Sequence, residues 1–210
     1  MKLIGMLDSP YVRRVAISLQ LLGLRFDHQS LSVFRGFEEF TRTNPVVKAP
    51  TLVCDDGEVL MESQLILEYA EALARPRSLV PARPHELQHA LRLIGLALVA
   101  CEKSVQIVYE RGLRPAEKQH APWVARVTGQ VLAAYDGLEQ ELAHRTPGAT
   151  TASIDQAGVS TAVAWHFTQQ MIPDVVPAAR YPGLVAYSAL AEALPAFAAA
   201  PHGDGTVSVG

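Results

Sequence analysis

Asn44-Pro45-Val46-Val47-Lys48-Ala49-Pro50-Thr51-Leu52-Val53 is the stretch on which the reading of the fold turns. Two prolines bracket a loop, and the second, Pro50, directly precedes a run of strand formers. In the trans form Pro50 is ordinary punctuation at a strand edge. In the cis form it turns the chain sharply and opens the backbone of Ala49 to a ligand. These residues leave both readings open. Downstream, Asp55-Asp56-Gly57 between Thr51–Cys54 and Glu58–Met61 signals a hairpin. Glu62–Ala74 then has helical spacing, with Leu65, Ile66, Tyr69 and Leu73 on one face. Upstream, Lys2–Leu7 reads as a short strand and Pro10–Leu22 as a helix closed by Gly23. Leu24–Leu31 reads as a second strand and Phe37–Thr43 as a short helix. The order is βαβ, then α, then ββα.

Beyond residue 80 the chain changes character. Residues 1–80 hold 5 alanines and residues 81–210 hold 25. The change marks a passage from mixed strands and helices to helices alone. Leu87, Leu91, Ile94, Leu98, Cys101, Val105 and Val108 recur at alternating steps of four and three, the signature of one long helix with a buried stripe. A second helix is expected from Pro115 or Pro122 to His144. A third should start at Ser153, where Ser153-Ile154-Asp155-Gln156 resembles a capping box. Tyr181–Ala193 and a turn after Pro195 follow. The expected division is residues 1–75, a Pro-rich linker 76–84, a helical part 85–200 and a flexible tail 201–210.

Composition bounds the function. Of 210 residues, 49% are hydrophobic and 19% charged, which suits a chain with a packed core. A net charge of −3 supplies no strong positive field, so nucleic acid is not an expected partner. The apolar run Leu93–Cys101 falls far short of a membrane helix, which needs about 20 residues. No secretion signal is read at the start, and two cysteines suggest a reducing compartment. A cytoplasmic protein is expected.

Three places could carry chemistry. Ser9-Pro10 opens a helix after a strand. Ser9 caps it, or its hydroxyl stands among free N–H groups where a thiolate would be stabilised. Glu62-Ser63-Gln64 opens another helix. Ser63 caps it, or its hydroxyl and the N–H groups hold a carboxylate. His85-Glu86-Leu87-Gln88-His89 fits the pattern of zinc proteases. A third ligand with signature spacing is lacking, and Glu86 has a dipole reason to stand in a first turn, so no metal is expected.

Taken together, Ser9-Pro10-Tyr11-Val12-Arg13-Arg14, Asn44 to Leu52, Glu62-Ser63-Gln64 and Tyr181-Pro182-Gly183-Leu184 resemble the glutathione transferase superfamily over residues 1 to about 200. The nearest variety looks like bacterial serine-type members similar to the plant tau branch. The resemblance implies an α/β thioredoxin-like N-terminal domain followed by an all-α C-terminal helical bundle. It implies glutathione as co-substrate, with Ser9 donating to the thiolate, Pro50 as the cis-proline, and Ala49 pairing its backbone with the cysteinyl part. Glu62 and Ser63 would hold the γ-glutamyl end, and Lys48 the glycyl carboxylate. Tyr11, Phe34 and Tyr109 would line the electrophile site, whereas Trp165, Cys101 and Cys54 read as core. The expected protein is a cytosolic homodimeric transferase acting on a small electrophile, with no nucleic-acid or membrane partner. The alternative is a non-catalytic binding or regulatory module of the same fold, or a ligand carrier.

Overall fold

β1 (Lys2–Ile4) lies inside a four-stranded sheet of order β2-β1-β3-β4. The computed structural model describes residues 1–208. β2 (Asp27–Gln29) runs parallel to β1, Leu3 facing His28 in register. Parallel neighbours need a crossover, and α1 (Pro10–Leu21) provides it. After α2 (Phe37–Thr43) come β3 (Thr51–Val53) and β4 (Val59–Met61), antiparallel to each other around Asp55-Asp56-Gly57. β3 also pairs antiparallel with β1, setting Leu52 opposite Leu3. α3 (Ser63–Ala74) packs beside α1. This βαβ-α-ββα order is the thioredoxin-like arrangement.

α1 ends in a Schellman motif: Leu24 N–H reaches Leu19 O and Gly23 N–H reaches Gln20 O, both at 3.0 Å. Gly23, at φ +74°, takes the left-handed position that glycine favours. The helix is buried on nearly every side, Arg13, Arg14 and Ser18 included. Buried polar groups need partners. Arg13 Nε donates to Ala200 O at 2.8 Å, with its guanidinium over the Phe197 ring, and Gln20 donates to Ala196 O. Those partners belong to α8 (Pro195–Ala198) and the residues after it.

The chain divides into two units: Met1–Val80 with the chain from Ala193 onward, and Pro81–Glu192. The last helix, expected with the helical part, therefore clusters with the sheet. The expected tail is held as far as the description extends. Ser30 Oγ donates to Asp204 O, Val207 N–H to His28 Nδ1, and Ser208 N–H to Ala199 O. Residues 209–210 lie outside the described residues.

The second unit holds α4 (Pro84–Leu113), α5 (Ala121–His144), α6 (Gln156–Met171) and α7 (Pro182–Glu192). No helix among the described residues is long and apolar enough to cross a membrane. The stripe that α4 buries is Ala90, Leu93, Ile94, Ala97, Ala100, Cys101, Ser104 and Ile107. Of the expected stripe only Ile94 and Cys101 are buried, and Leu91 is 50% exposed. The period is as expected but the phase differs, because small residues let α5 and α6 approach closely. α3 differs in the same way: Ile66, Leu67 and Ala70 are buried, Leu65 and Leu73 exposed.

α6 starts later than Ser153. Asp155 is its N-cap and accepts from Gly158 N–H at 2.8 Å, while Ser153 Oγ meets Thr150 instead. Gly158 is required there, since a Cβ would lie 2.2 Å from the Tyr187 hydroxyl. Trp165 packs edge-on to Tyr135 and Tyr181 in this core. Tyr135 hydrogen bonds Thr168, which also meets Ser104, so the buried hydroxyls satisfy one another.

Candidate functional site

Ser9 follows the loop after β1 and is the N-cap of α1. Its backbone is extended, φ −74° and ψ 123°, and Pro10 occupies the first helical position. Ser9 Oγ accepts from Val12 N–H at 3.4 Å, longer than an ordinary capping bond. The hydroxyl acts there as acceptor, so its hydrogen stays available for another group. The N-terminal N–H groups of α1 add a positive end. The capping reading of Ser9 is thus observed, and the cap does not use the hydroxyl hydrogen. Burial pushes the neighbouring Asp8 carboxyl up, while the Ser9 N–H and Arg35 pull it down.

Gly5, at φ +138°, brings the β1 end against the proline loop. A Cβ on it would lie 2.6 Å from Val12 and 3.1 Å from Ala49. The Ala49–Pro50 bond is cis. Arg75–Pro76 is cis as well, for which the sequence carries no signal. Asn44, buried at the end of α2, fixes the loop: its Nδ2 donates to Thr51 Oγ1 at 2.8 Å and its Oδ1 accepts from Val46 N–H. Thr51 Oγ1 in turn donates to Lys48 O at 2.6 Å. Sequence reasoning gave Asn44 no role, although an Asn-Pro step after a helix signals an Asx turn.

Glu62, not Ser63, is the N-cap of α3, and no side-chain bond caps that helix. Glu62 has φ +73°, a left-handed conformation uncommon for a non-glycine residue and often tied to function. Its carboxylate pairs with Lys48 Nζ at 3.0 Å, both side chains half exposed. Ser63 is buried at the first helical position, and Arg14 Nη1 donates to its Oγ at 3.0 Å. The capping reading of Ser63 therefore gives way to a cross-link between α1 and α3.

In the first unit Ser9 caps α1, Lys48, Ala49 and Pro50 lie in the loop before β3, and Glu62 and Ser63 stand at the start of α3. Tyr11 lies on α1 and is half-buried; Phe34, 54% exposed, lies in the loop before α2. Tyr109, 43% exposed, is on α4 in the second unit. Cys54 and Cys101 are buried and neither is in a disulfide, and burial pushes the Cys54 thiol up.

The second unit carries a groove of about 1100 Å³ between α4 and α5, with Leu91, Leu96, Val99 and Ala133 as floor. His85 and His89 line it, but Glu86 pairs with Arg83 and His89 faces Glu141 at 3.6 Å. Among the described residues no group of three or more His, Cys, Asp or Glu is placed to hold a metal ion.

The fold defines the class: a thioredoxin-like domain followed by a helical domain. Residues 3–78 match the family model of the glutathione S-transferase N-terminal domain. The chain is 30% identical over 148 residues to maleylacetoacetate isomerase of Pseudomonas aeruginosa, spanning 66% of this chain and 69% of that protein. It is 27% identical over 173 residues to the uncharacterised GST-like protein YibF of Escherichia coli, spanning 82% and 85%. The crystal structure of a glutathione S-transferase from Methylobacterium radiotolerans, in complex with glutathione sulfonate, matches with a TM-score of 0.86 at 28% identity, covering 94% of this chain and 92% of that one. The chain belongs to the glutathione transferase superfamily.

Proposed function

We propose that this chain binds glutathione in its first unit and activates the thiol for attack on a small electrophile. The observation that carries the reading is Ser9: a hydroxyl at the start of α1, accepting one long bond from Val12 N–H and keeping its hydrogen. A free thiol has a pKa near about 8.5, so little is thiolate at neutral pH. A hydroxyl donor and a helix N-terminus both favour S⁻ over SH. The thiolate sulfur then forms a bond to an electrophilic carbon. The leaving group departs with its electron pair, or an activated double bond takes up a proton. Ser9 donates throughout and is not itself modified.

The remaining residues suit the rest of the peptide. Ala49 would offer its backbone to the cysteinyl part beside Pro50. Glu62 and Ser63 would take the ammonium and carboxylate of the γ-glutamyl end, and Lys48 the glycyl carboxylate. Tyr11, Phe34 and Tyr109 are proposed for the electrophile. The Methylobacterium relative's complex with glutathione sulfonate supports this ligand class. Two cysteines outside any disulfide accord with a cytoplasmic location.

The test is calorimetric titration with glutathione followed by a panel of electrophiles on wild type and Ser9→Ala. The variant should lose about 100-fold in kcat/KM, the scale of one lost donor to a developing anion. Its glutathione affinity should stay close to wild type. No detectable glutathione binding by the wild type at millimolar concentration would sink the reading. Binding without turnover of any electrophile would favour the non-catalytic module.

We also propose a homodimer through the α4–α5 groove. An isologous contact needs a self-complementary patch. Leu91 and Val99 supply an exposed apolar floor, with Arg92 and Arg145 beside Glu86 and Glu141 at the rim. Leu91→Glu should convert a dimer to a monomer in sedimentation analysis. A wild type that sediments as a monomer at tens of micromolar would refute it.

A further inference from the structure

Two helix starts carry the proposed site, and one side chain joins them. Arg14 lies in α1 five residues after Ser9 and is 1% exposed. Its Nη1 donates to Ser63 Oγ at 3.0 Å and its Nη2 to Gln64 Oε1 at 3.3 Å. Ser63, 2% exposed, opens α3 directly after the left-handed Glu62.

We propose that Arg14 is a positioning residue for carboxylate recognition at Ser63, aiming the hydroxyl hydrogen at the ligand and placing fixed positive charge behind it. The proposal rests on the reading of Ser63 as the anchor of the γ-glutamyl end. The argument is one of hydrogen-bond inventory. A serine hydroxyl has one donor and two acceptor sites, and a guanidinium only donates. Arg14 therefore fills an acceptor site of Ser63 Oγ and cannot take its hydrogen. Among the described residues Ser63 Oγ accepts from Arg14 and donates to no protein group, so that hydrogen can meet an acceptor arriving at the helix start. Donation into Oγ also polarises the O–H bond and makes it a better donor.

Charge works in the same direction. A guanidinium stays ionised at any ordinary pH and presents its N–H groups in a fixed fork. Buried, its field is screened less than that of a surface cation. With the N-terminal N–H groups of α3 it makes a place where a carboxylate is favoured over a neutral amide. The same fork ties Ser63 and Gln64 to the helix that Ser9 caps, so sulfur activation and carboxylate anchoring share one rigid support.

The experiment uses two ligands: glutathione, and its analogue with the γ-glutamyl α-carboxylate converted to a carboxamide. Both are titrated by calorimetry into wild type, Arg14→Met and Arg14→Lys. Arg14→Met should weaken glutathione by about 10- to 100-fold, the range for a hydrogen bond involving a charged group. The carboxamide analogue should weaken by less than about threefold in the same variant. Arg14→Lys keeps the charge without the fork, so glutathione should weaken by about 3- to 10-fold and the analogue again little. In steady state the rise in KM for glutathione should exceed the fall in kcat. In a Ser63→Ala background the effect of Arg14→Met on glutathione should shrink to less than half its logarithmic size, because the two act through one bond. If Arg14→Met does not fold, Arg14→Lys decides. Equal losses for both ligands, or no loss for glutathione, overturn the proposal while leaving the functional reading intact. A wild type that binds no glutathione overturns that reading and this one with it.

Discussion

The Ser9 hydroxyl can serve the observed cap and the proposed thiol activation at once, because the two use different atoms. Capping uses the oxygen as acceptor and thiol activation uses the hydrogen as donor, so neither excludes the other. That has a consequence for pH. If the hydroxyl lowers the pKa of bound glutathione, its removal moves the acid limb of kcat/KM toward the free thiol value near about 8.5. Ser9→Ala should then be most impaired near pH 6.5 and approach wild type near pH 9, where the thiolate forms unaided. A deficit constant from pH 6 to 9 would mean that Ser9 does not act on the thiol's ionisation. The sequence singles out Ser9, Pro50 and Ser63 because each lies at a local junction, Ser9 and Ser63 at helix starts and Pro50 directly before a strand. Arg14 and Asn44 were not assigned roles. Their partners Ser63 and Thr51 are fixed by packing and loop closure, not by helical period, so position in a motif did not reveal them.

At the scale of elements, type and order were legible, and phase was less so. α2 runs over Phe37–Thr43 as read, and the hairpin around Gly57 is in place. α3 and α4 show what periodicity omits. It identifies a helix, but where alanine or serine can face a neighbour the close approach turns larger residues such as Leu65 and Leu91 outward. β2 carries a further feature absent from any pattern. His28 Nδ1 accepts from Val207 N–H at 3.1 Å, so Nε2 bears the proton shared with Gly5 O at 2.8 Å. Burial holds this imidazole below its ordinary value, against the bond to the Gly5 carbonyl. A histidine depressed in the folded state leaves full stability above its unfolded pKa of about 6.5, and stability falls as pH drops from there through the folded value. Protonation also removes the acceptor for Val207. Wild type should therefore lose stability to urea between pH 7.5 and 5.5, with faster proteolysis within residues 201–208. His28→Gln, which cannot titrate there, should show a shallower slope. Equal slopes and equal proteolysis would remove His28 as the cause.

For the molecule as a whole, the change in alanine content near residue 80 located the first crossing between units but not the second. The chain returns: residues from Ala193 onward close the unit that Met1–Val80 begins, and the helical unit is inserted between. The final segment, residues 193–200, holds five alanines and a helical turn like the helices before it, so composition assigns it to them. The contacts assign it to α1. Phe197 and Ala200 are fully buried, Arg13 reaches Ala200 O, and Gln20 reaches Ala196 O. A small α/β unit buries a limited fraction of its surface and depends on each such cover. Phe197→Ala removes the largest apolar piece of this cover and should cost about 3–5 kcal/mol. The loss belongs to the first unit even though the residue follows the second in sequence. Hydrogen exchange reads the difference: amides of α1 and β1 should lose protection, and those of α5 and α6 should keep theirs. Loss confined to α6 and α7, or a change in stability under about 1 kcal/mol, would place the C-terminal segment with the helical unit and overturn the inserted arrangement.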